Sequence, residues 1–188
     1  MIEYITNVDL AVLEAVQGIK CAFLDFLVPL ITKFGDGGIF WIALAVIFLI
    51  FKKTRKMGLA MAFALIFGLI VGNLTMKPLI ARIRPYNLEG YETIRDALLV
   101  APLKDFSFPS GHTLASFEGA TAIFAFNRKW GIPALVLASL VALSRLYLFV
   151  HYPTDVITGL VLGVTFGICG ALLSRLIFKK FDKNQLDS

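Results

Sequence analysis

Long apolar runs alternate with short polar connections along most of this chain. The runs lie at residues 21–33, 39–51, 58–76, 112–126, 130–150 and 154–178. A membrane-spanning helix needs about 20 mostly apolar residues, so several runs reach a full span only together with their flanking turns. The pattern therefore predicts an all-α fold, a polytopic membrane helical bundle with six transmembrane helices.

The segment before these runs has a different pattern. Over residues 3–18, apolar side chains recur on one helical face, as in a helix that lies along a membrane surface. The N-terminus is acidic and has no basic stretch ahead of its apolar part, so we do not expect a cleaved signal peptide. The sequence predicts an N-terminal interfacial helix that leads into the bundle.

The composition agrees with a membrane protein. Of the 188 residues, 58% are hydrophobic and 16% are charged, whereas about a quarter of the residues of a soluble domain are charged. No linker, low-complexity tract or internal repeat divides the chain, so residues 1–188 are predicted to form a single membrane-embedded domain. The net charge of +5 does not indicate nucleic acid, because the basic residues sit in short clusters between apolar runs.

The basic clusters predict how the chain is oriented in the membrane. They fall in alternate connections or near the C-terminus: Lys52, Lys53, Arg55, Lys56, Arg128, Lys129, Arg175, Lys179, Lys180 and Lys183. The positive-inside rule makes their side cytoplasmic, and with six spans both termini are then cytoplasmic in a multi-pass protein of the cell membrane. Residues 34–38, 77–111 and 150–154 are predicted to lie on the extracytoplasmic side.

Cysteine and histidine usage favours neither a metal site nor a bound cofactor. Cys21 and Cys169 are far apart in apolar segments, and the chain has only two histidines. Neither a CxxC pair nor a Cys/His cluster with metal-ligand spacing is present, so a structural zinc site is not predicted. We expect no metal and no cofactor.

Three groups of polar residues carry the candidate chemistry, and all lie on the predicted extracytoplasmic side. Their members are Lys77, Arg84 and Pro85; Pro109, Ser110, Gly111 and His112; and Ser144, Arg145, His151 and Asp155. Ionisable groups at membrane depth usually pair with one another around a cavity and mark a functional site. The three groups are therefore predicted to form one site.

This set of side chains suits a phosphate group. Seven residues make nearly two helical turns, so Lys77 and Arg84 are predicted to share a helical face, although Pro78 would distort its first turn. Ser110 fits the N-cap of the following helix, whose free N–H groups attract anions, and Gly111 lets a ligand approach the backbone. Guanidinium groups can bind phosphate oxygens bidentately, while an ammonium group acts as a point charge.

The two histidines provide side chains that can take part in a reaction at the bound phosphate. His112 and His151 can divide the roles of general acid and nucleophile. If Asp155 accepts a hydrogen bond from His151, it would fix the tautomer of that imidazole and raise its nucleophilicity. The residues alone thus favour phosphate chemistry over simple anion binding.

The ordered pattern K-x6-RP, PSGH and SR-x5-H-x3-D resembles the signature of the type 2 phosphatidic acid phosphatase family of membrane lipid phosphatases. No motif position departs from that signature, and the motifs span residues 77–155. Soluble acid phosphatases and vanadium haloperoxidases share these motifs, but the apolar spans make the chain look like the lipid-phosphatase branch. Its short length is similar to that of the small bacterial members.

The resemblance implies a metal-independent mechanism. His151 would attack phosphorus to form a phosphohistidine, and Asp155 would orient it. His112 would protonate the leaving oxygen and then activate water for hydrolysis. The residues that would hold the phosphoryl oxygens are Lys77, Arg84, Ser110, Gly111 and Arg145.

Several substrates and one other class of function stay open at this stage. The resemblance favours undecaprenyl pyrophosphate, the carrier lipid of cell-wall biogenesis, ahead of phosphatidylglycerophosphate and phosphatidic acid from phospholipid metabolism. The expected partners are therefore a lipid phosphate within the bilayer and the membrane itself, without nucleic acid. A non-catalytic protein that binds or transports an anionic lipid is the alternative from another class, although it does not need two histidines and an aspartate.

Other charged residues are predicted to have structural roles. Arg82, Arg95 and Lys104 are expected to anchor helix ends at the membrane surface, as single basic residues there commonly do. Glu118 lies within an apolar helix, where burying a charge is expensive. We expect it to line the bundle in a protonated or internally hydrogen-bonded form, with no catalytic role.

Overall fold

A computed structural model describes the backbone of residues 2–186 and the side chains of residues 6–180. Within this part of the chain all regular structure is helical, which confirms the predicted all-α class. The helices are α1 (Ile2–Gln17), α2 (Ala22–Thr32), α3 (Ile39–Ile50), α4 (Arg55–Gly68), α5 (Lys77–Ile80), α6 (Glu92–Asp96), α7 (Gly111–Phe126), α8 (Arg128–Tyr147) and α9 (Pro153–Leu186).

Four helical stretches of the described residues are long and apolar enough to cross a membrane. They are Ala22–Ile50, Arg55–Asn87, Arg128–Tyr147 and Pro153–Lys180. This confirms a membrane protein with several spans. The count of six spans requires α2, α3 and α7 to cross separately, and each of these is shorter than the four stretches. That count stays a prediction, as does the interfacial position of α1.

A tight turn separates α2 from α3, within the Gly-rich connection between two of the predicted helices. Lys33–Gly38, which we call the glycine turn, is a short 3₁₀ segment that loses helical geometry at Asp36 (φ −60°, ψ 115°). Gly37 and Gly38 follow with φ values of 56° and 67°, a region that glycine enters without steric cost. The turn redirects the chain and leaves Asp36 at its tip.

The stretch from α4 to α5 differs from the predicted helix over residues 58–76. The helix begins earlier, at Arg55, and widens into a π-helical segment at Leu69–Met76 before α5. π-helical turns are rare and are frequent near functional sites. Helical geometry ends at Ala81, whose φ is 48°, and Arg84 lies in extended backbone. The prediction that Lys77 and Arg84 share a helical face is therefore wrong, because the helix ends between them.

Helix α7 lies at the centre of the bundle, packed between α4, α8 and α9. Small residues of α9 make this approach close: a Cβ atom on Gly163 would lie 2.7 Å from the carbonyl oxygen of Leu114. Helices in membranes associate through such small residues, since the hydrophobic effect does not drive contact between helices within a bilayer. From the opposite side, Trp41 of α3 donates a hydrogen bond to Ser116 at 3.0 Å. The N-terminus of α7 is thereby held inside the bundle.

A second group of buried residues closes the end of the bundle near the start of α7. The group brings together side chains from α1, from α2, from the loop after α5 and from the end of α8 with the connection to α9. Its buried members are Leu13, Val28, Tyr86, Tyr147, Leu148, Phe149, Val150 and Tyr152. Pro153 is the first residue of α9, a position at which the missing N–H of proline costs nothing. This packing fixes the backbone on both sides of His151.

Candidate active site

The three predicted groups of polar residues meet at one end of the bundle. Short contacts run from Lys77 to Asp105, from Asp105 to Arg84, and from Arg84 to His151. The backbone N–H of Ser110 donates to the carbonyl oxygen of Asp155 at 3.2 Å, which ties the start of α7 to the start of α9. Residues far apart in the sequence therefore share one site.

His151 is buried between a carboxylate and a guanidinium group. Its Nδ1 lies 3.4 Å from Oδ2 of Asp155, and its Nε2 lies 3.2 Å from Nη1 of Arg84. A guanidinium group only donates hydrogen bonds, so Nε2 acts as the acceptor and the proton resides on Nδ1, facing Asp155. The geometry leaves the lone pair of Nε2 on the cationic side of the ring.

The environment of His151 favours the neutral ring. Burial lowers the pKa of His151 and the charges of Arg84 and Arg145 lower it further, while the hydrogen bond and charge of Asp155 oppose the shift. A neutral imidazole has the lone pair that a nucleophile needs. The site thus favours the form of His151 in which Nε2 has a free lone pair.

Asp155 is surrounded by donors. Its Oδ2 accepts hydrogen bonds from the hydroxyl of Ser107 and from the backbone N–H of Tyr152, the latter at 3.0 Å. Its Oδ1 accepts from Nη1 of Arg82 at 2.7 Å. A carboxylate held on both oxygens cannot rotate away from His151. Ser107 was not identified from the sequence, because a lone serine in a polar loop carries no signal.

Arg84 is fixed by the backbone as much as by side chains. Its Nε donates to the carbonyl oxygen of Asp105 at 2.9 Å, and its Nη1 donates to that of Val150 at 2.7 Å. The side chain is 2% exposed. These contacts place the guanidinium plane beside His151 before any ligand arrives, so little reorganisation is required when an anion binds.

Asp105 joins the two cations that the sequence places in one motif. It pairs with Nζ of Lys77 and, at 2.7 Å, with Nη2 of Arg84. Burial alone would raise the pKa of the Asp105 carboxyl, but the hydrogen bond and charge of Lys77 and the charge of Arg84 outweigh it and lower that pKa to about 2. Asp105 is ionised at neutral pH. The sequence analysis did not identify it, since it lies outside the motifs.

The start of α7 has the features predicted for an anion site. Ser110 is the N-cap and accepts a weak hydrogen bond from the N–H of Thr113 at 3.5 Å. A Cβ atom on Gly111 would lie 3.3 Å from Oδ1 of Asn73 and 3.9 Å from Nζ of Lys77. The first turn of α7 therefore adjoins the lysine across a narrow space, which the absence of a side chain on Gly111 leaves open.

Arg145 is a buried cation without a matching anion. It is 2% exposed, its Nη1 donates to the hydroxyl of Thr32, and its Nε has no hydrogen-bond partner. Within the described part of the chain, no ion pair joins it to a carboxylate. A buried charge is costly unless it is paired, so this arrangement favours binding of an anion from outside the chain.

His112 also contacts a carboxylate. Its Nε2 lies 2.7 Å from Oδ1 of Asp36, at the tip of the glycine turn. The imidazole is partly exposed, in contrast to the fully buried ring of His151. The sequence analysis placed residues 34–38 on the predicted extracytoplasmic side but did not connect them with the site, because Asp36 and His112 are 76 positions apart.

The sequence analysis expected Arg82 to be a surface anchor, but the structure shows it paired with two carboxylates. It binds Asp155 at 2.7 Å and Asp9 of α1 at 2.8 Å, and its guanidinium carbon lies 3.7 Å from the ring centre of Tyr152. Asp9 is itself 2% exposed and accepts from the backbone N–H of Thr154. Arg82 thus links α1 to the carboxylate behind His151. Arg95 and Lys104 are exposed, and their role as anchors stays a prediction.

Replacing Arg82 with alanine is expected to lower kcat about 10- to 100-fold and to lower the melting temperature. The change leaves Asp9 and one oxygen of Asp155 without their cation, and an unpaired buried carboxylate costs about 3–5 kcal/mol. Phosphate release and thermal unfolding in the same detergent would measure both effects. Arg95→Ala, at an exposed position, is the matched control, and equal behaviour of the two variants would contradict the assignment.

A long cavity of about 560 Å³ leads away from the site into the bundle. Its polar end is formed by Lys77, Asp105, Gly111 and His112. Its walls are mainly apolar side chains of α3, α4 and the start of the π-helical segment: Ile42, Ala45, Val46, Leu49, Ala62, Leu65, Ile66 and Leu69. Several of these, such as Val46 and Leu69, are exposed on the outside of the protein. The cavity has the polar head and apolar body that an amphiphile requires.

Glu118 lies in the wall of this cavity, on α7. It is 1% exposed, and its Oε1 has no hydrogen-bond partner and packs against Gly68, where a Cβ atom would be 1.9 Å away. The position agrees with the expectation that Glu118 lines the bundle. Among the described residues, no cluster of three or more His, Cys, Asp or Glu side chains is arranged to hold a metal ion.

Comparison with known proteins gives one consistent picture. A family model described as the PAP2 superfamily matches residues 53–182. An undecaprenyl-diphosphatase of Sulfolobus acidocaldarius is 35% identical over 146 residues, which cover 77% of this chain and 68% of that protein. A lipid A 4′-phosphatase of Bacteroides thetaiotaomicron is 29% identical over 175 residues, 87% of this chain and 75% of that protein.

A solved structure extends the similarity to the fold. The PAP2 type phosphatidylglycerolphosphate phosphatase of Bacillus subtilis aligns with a TM-score of 0.70 and 25% sequence identity. The alignment covers 96% of this chain and 87% of that protein, so it includes nearly all of the helices described above.

Proposed function

Because this chain belongs to the PAP2 superfamily and is a membrane lipid phosphatase, we propose that it removes the terminal phosphate from a polyprenyl pyrophosphate. The best candidate is undecaprenyl pyrophosphate, which would be converted to undecaprenyl phosphate for cell-wall biogenesis. We place the reaction at the extracytoplasmic face and route it through a phosphohistidine on His151, without a metal ion.

The observation that carries the proposal is the unbalanced cationic site around a neutral histidine. Arg145 is buried with a free Nε, and Arg84 donates to Nε2 of His151. A phosphoryl group between these two arginines supplies the missing negative charge and brings phosphorus next to the ring. Preorganised donors aimed at developing charge are usually the largest single contribution to catalysis.

The first chemical step transfers the phosphoryl group to His151. Nε2 forms a bond to phosphorus as the bond from phosphorus to the bridging oxygen breaks. Asp155 accepts the hydrogen bond from Nδ1–H and stabilises the positive charge that develops on the ring. The bridging oxygen leaves with its electron pair and takes a proton from His112.

The second step returns the enzyme to its starting state. His112, now neutral, accepts a proton from a water molecule whose oxygen attacks phosphorus. The bond between phosphorus and Nε2 breaks, inorganic phosphate is formed and His151 is again neutral. The proton that His112 gave to the lipid product is thereby replaced.

The cavity supports a lipid as the leaving group. Its polar end includes Lys77 and Gly111, two of the residues proposed to bind phosphate, together with His112, and the rest is lined mainly by apolar side chains. An isoprenoid chain has no polar atoms and matches such walls. The similarity to an undecaprenyl-diphosphatase supports the same substrate.

A second candidate substrate is phosphatidylglycerophosphate, with phosphatidic acid as a related one. It is supported by the phosphatidylglycerolphosphate phosphatase structure, whose alignment covers 96% of this chain. An apolar cavity accepts acyl chains as readily as isoprenoid chains. The choice between the candidates therefore depends on measured rates.

The proposed orientation rests on charge. The site residues are contributed by the connections that the positive-inside rule assigns to the outside, while the basic clusters, including Lys52 and Arg128, lie in the other connections. Labelling of single introduced cysteines from outside intact cells would test it. Reagent access at Lys129 but not at Glu89 would contradict the orientation.

The function is tested by phosphate release from purified protein in detergent containing EDTA. Undecaprenyl pyrophosphate, phosphatidylglycerophosphate and phosphatidic acid are compared, each with wild type and with the His151→Ala variant. Metal-independent release that is lost in the variant supports the proposal, and the relative rates rank the substrates. Binding of vanadate without release from any lipid would instead indicate a non-catalytic anionic-lipid binding or transport protein.

Narrowing the cavity is expected to affect long-chain substrates selectively. Ala62→Trp places a large ring in the wall of α4, and we expect about a tenfold loss in kcat/KM for the polyprenyl substrate, equivalent to about 1.4 kcal/mol. Hydrolysis of water-soluble 4-nitrophenyl phosphate should stay within about twofold. Leu172→Trp, on the exposed face of α9, is the control. Equal losses with both substrates would show that the cavity does not hold the chain.

A further inference from the structure

We propose that Asp36 is a positioning residue for His112, so that the site contains two carboxylate–imidazole pairs, one behind each histidine. The proposal rests on the phosphatase function given above and extends it to a residue outside the three motifs. Asp155 serves the nucleophile, and Asp36 serves the general acid.

The contact between Asp36 and His112 is short and directional. Oδ1 of Asp36 lies 2.7 Å from Nε2 of His112, whereas the corresponding distance from Asp155 to His151 is 3.4 Å. Because an ionised carboxylate only accepts, Nε2 carries the proton in this contact. The other ring nitrogen, Nδ1, is left to exchange a proton with the substrate.

The glycine turn is built to bring Asp36 to this position. A Cβ atom on Gly35 would lie 2.7 Å from Cδ2 of His112 and 2.9 Å from Cγ1 of Val141. The backbone of the turn therefore packs directly against the imidazole and against α8. Gly37 and Gly38, with positive φ, turn the chain back into α3 immediately afterwards. A residue with a side chain at position 35 would separate the carboxylate from the ring.

The charges near His112 explain why a carboxylate is useful there. Arg145 and Arg84 lie within electrostatic reach of the ring, and Lys77 adjoins the neighbouring Gly111. These cations favour loss of the ring proton, which a general acid has to retain until the leaving oxygen needs it. Burial of the ring acts in the same direction as these cations, and Asp36, the carboxylate in direct contact with the ring, acts against both. It therefore stabilises the charged imidazolium that protonates the lipid product.

In this scheme the proton on Nε2 stays in place throughout the cycle. During the first step the proton on Nδ1 passes to the bridging oxygen, and during the second step Nδ1 takes a proton from water. Asp36 exchanges no proton. Its hydrogen bond fixes the ring so that the same nitrogen faces the substrate in both steps.

The test compares leaving groups in the Asp36→Asn variant, using the full-length protein in detergent. A general acid matters most when the leaving oxygen is strongly basic, and it matters little for 4-nitrophenolate. We expect kcat to fall about 10- to 100-fold with a lipid phosphate monoester such as phosphatidic acid, whose leaving group is a strongly basic alkoxide, and less than about threefold with 4-nitrophenyl phosphate. KM should not rise, because removing a negative charge near Arg145 does not weaken phosphate binding.

Two further variants separate positioning from simple folding effects. Asp36→Glu keeps the carboxylate and should recover part of the lipid rate, with vanadate binding as the check that the site is folded. Asp25→Asn is the matched control, since Asp25 accepts a hydrogen bond from Tyr147 and lies outside the site. If Asp36→Asn does not fold, the smaller loss in Asp36→Glu should still depend on the leaving group.

Several outcomes would overturn the proposal. They are equal losses with all leaving groups, a change confined to KM, and an unchanged lipid rate in Asp36→Asn. Failure of the function is a separate result, since wild-type protein would then release no phosphate from any lipid. If the wild-type enzyme releases phosphate and Asp36→Asn depends on the leaving group as wild type does, only the role of Asp36 is contradicted.

Discussion

Replacing His151 with alanine is expected to reduce phosphate release by at least about a thousandfold, to the background of the assay, while vanadate still binds. The change removes the proposed nucleophile, and His112, which the mechanism uses as the general acid, is not placed to form the bond to phosphorus in its stead. The cations that hold the phosphoryl oxygens are untouched. Initial rates with lipid substrate and vanadate titration would measure the two effects separately.

The buried position of His151 calls for a control on folding. The ring is 1% exposed, so alanine leaves a cavity and is expected to cost stability as well as activity. His151→Gln fills more of the space and should unfold at a temperature closer to wild type, yet it cannot form a stable bond to phosphorus. Turnover by either variant at more than a few per cent of the wild-type rate would contradict the phosphohistidine mechanism.

Replacing Asp155 with asparagine is expected to lower kcat about 10³- to 10⁴-fold, because the tautomer of the nucleophile is no longer fixed. The carboxylate accepts hydrogen bonds from Ser107, Tyr152 and Arg82 on its two oxygens. An amide in the same place turns its NH₂ group towards one of these donors. The imidazole of His151 then loses its acceptor or takes the tautomer with the proton on Nε2, which cannot attack phosphorus.

Rapid-quench measurement of the phosphoenzyme would identify the step affected. We expect slower formation of the phosphohistidine in Asp155→Asn, with KM within about threefold of wild type. Asp96→Asn, at an exposed position of α6, is the matched control. Normal phosphoenzyme formation followed by slow hydrolysis would show instead that Asp155 acts in the second step.

The residues that the sequence analysis identified are those that stand in ordered motifs. Ser110 and His112 begin one helix and Asp155 lies in the first turn of another, so local rules of helix capping predict where they lie. The apolar runs likewise predict the helices, although α8 lies two to three residues earlier than predicted and α9 continues beyond its predicted end at residue 178, to Leu186. In each case the evidence lies within a few positions of the residue.

The residues that the sequence analysis missed depend on partners far away in the chain. Asp36 is adjacent to His112 only because the glycine turn and α3 pack against α7, and Arg82 binds Asp9 across 73 positions. Single acidic residues in turns or on helix faces look alike in a sequence, whatever they bind. The prediction that Lys77 and Arg84 share a helical face was wrong for a different reason. The left-handed conformation of Ala81 ends the helix where spacing alone predicted it to continue.

Asp105 gives the phosphate site a resident counterion. Because its carboxylate already pairs with Lys77 and Arg84, an arriving phosphate replaces one anion with another at these two cations and adds a new anionic partner only at Arg145. Part of the Coulomb attraction gained from the substrate is therefore offset by the attraction lost from Asp105. The same exchange acts on the product: as inorganic phosphate leaves, the carboxylate takes its place, which favours rapid release over product inhibition.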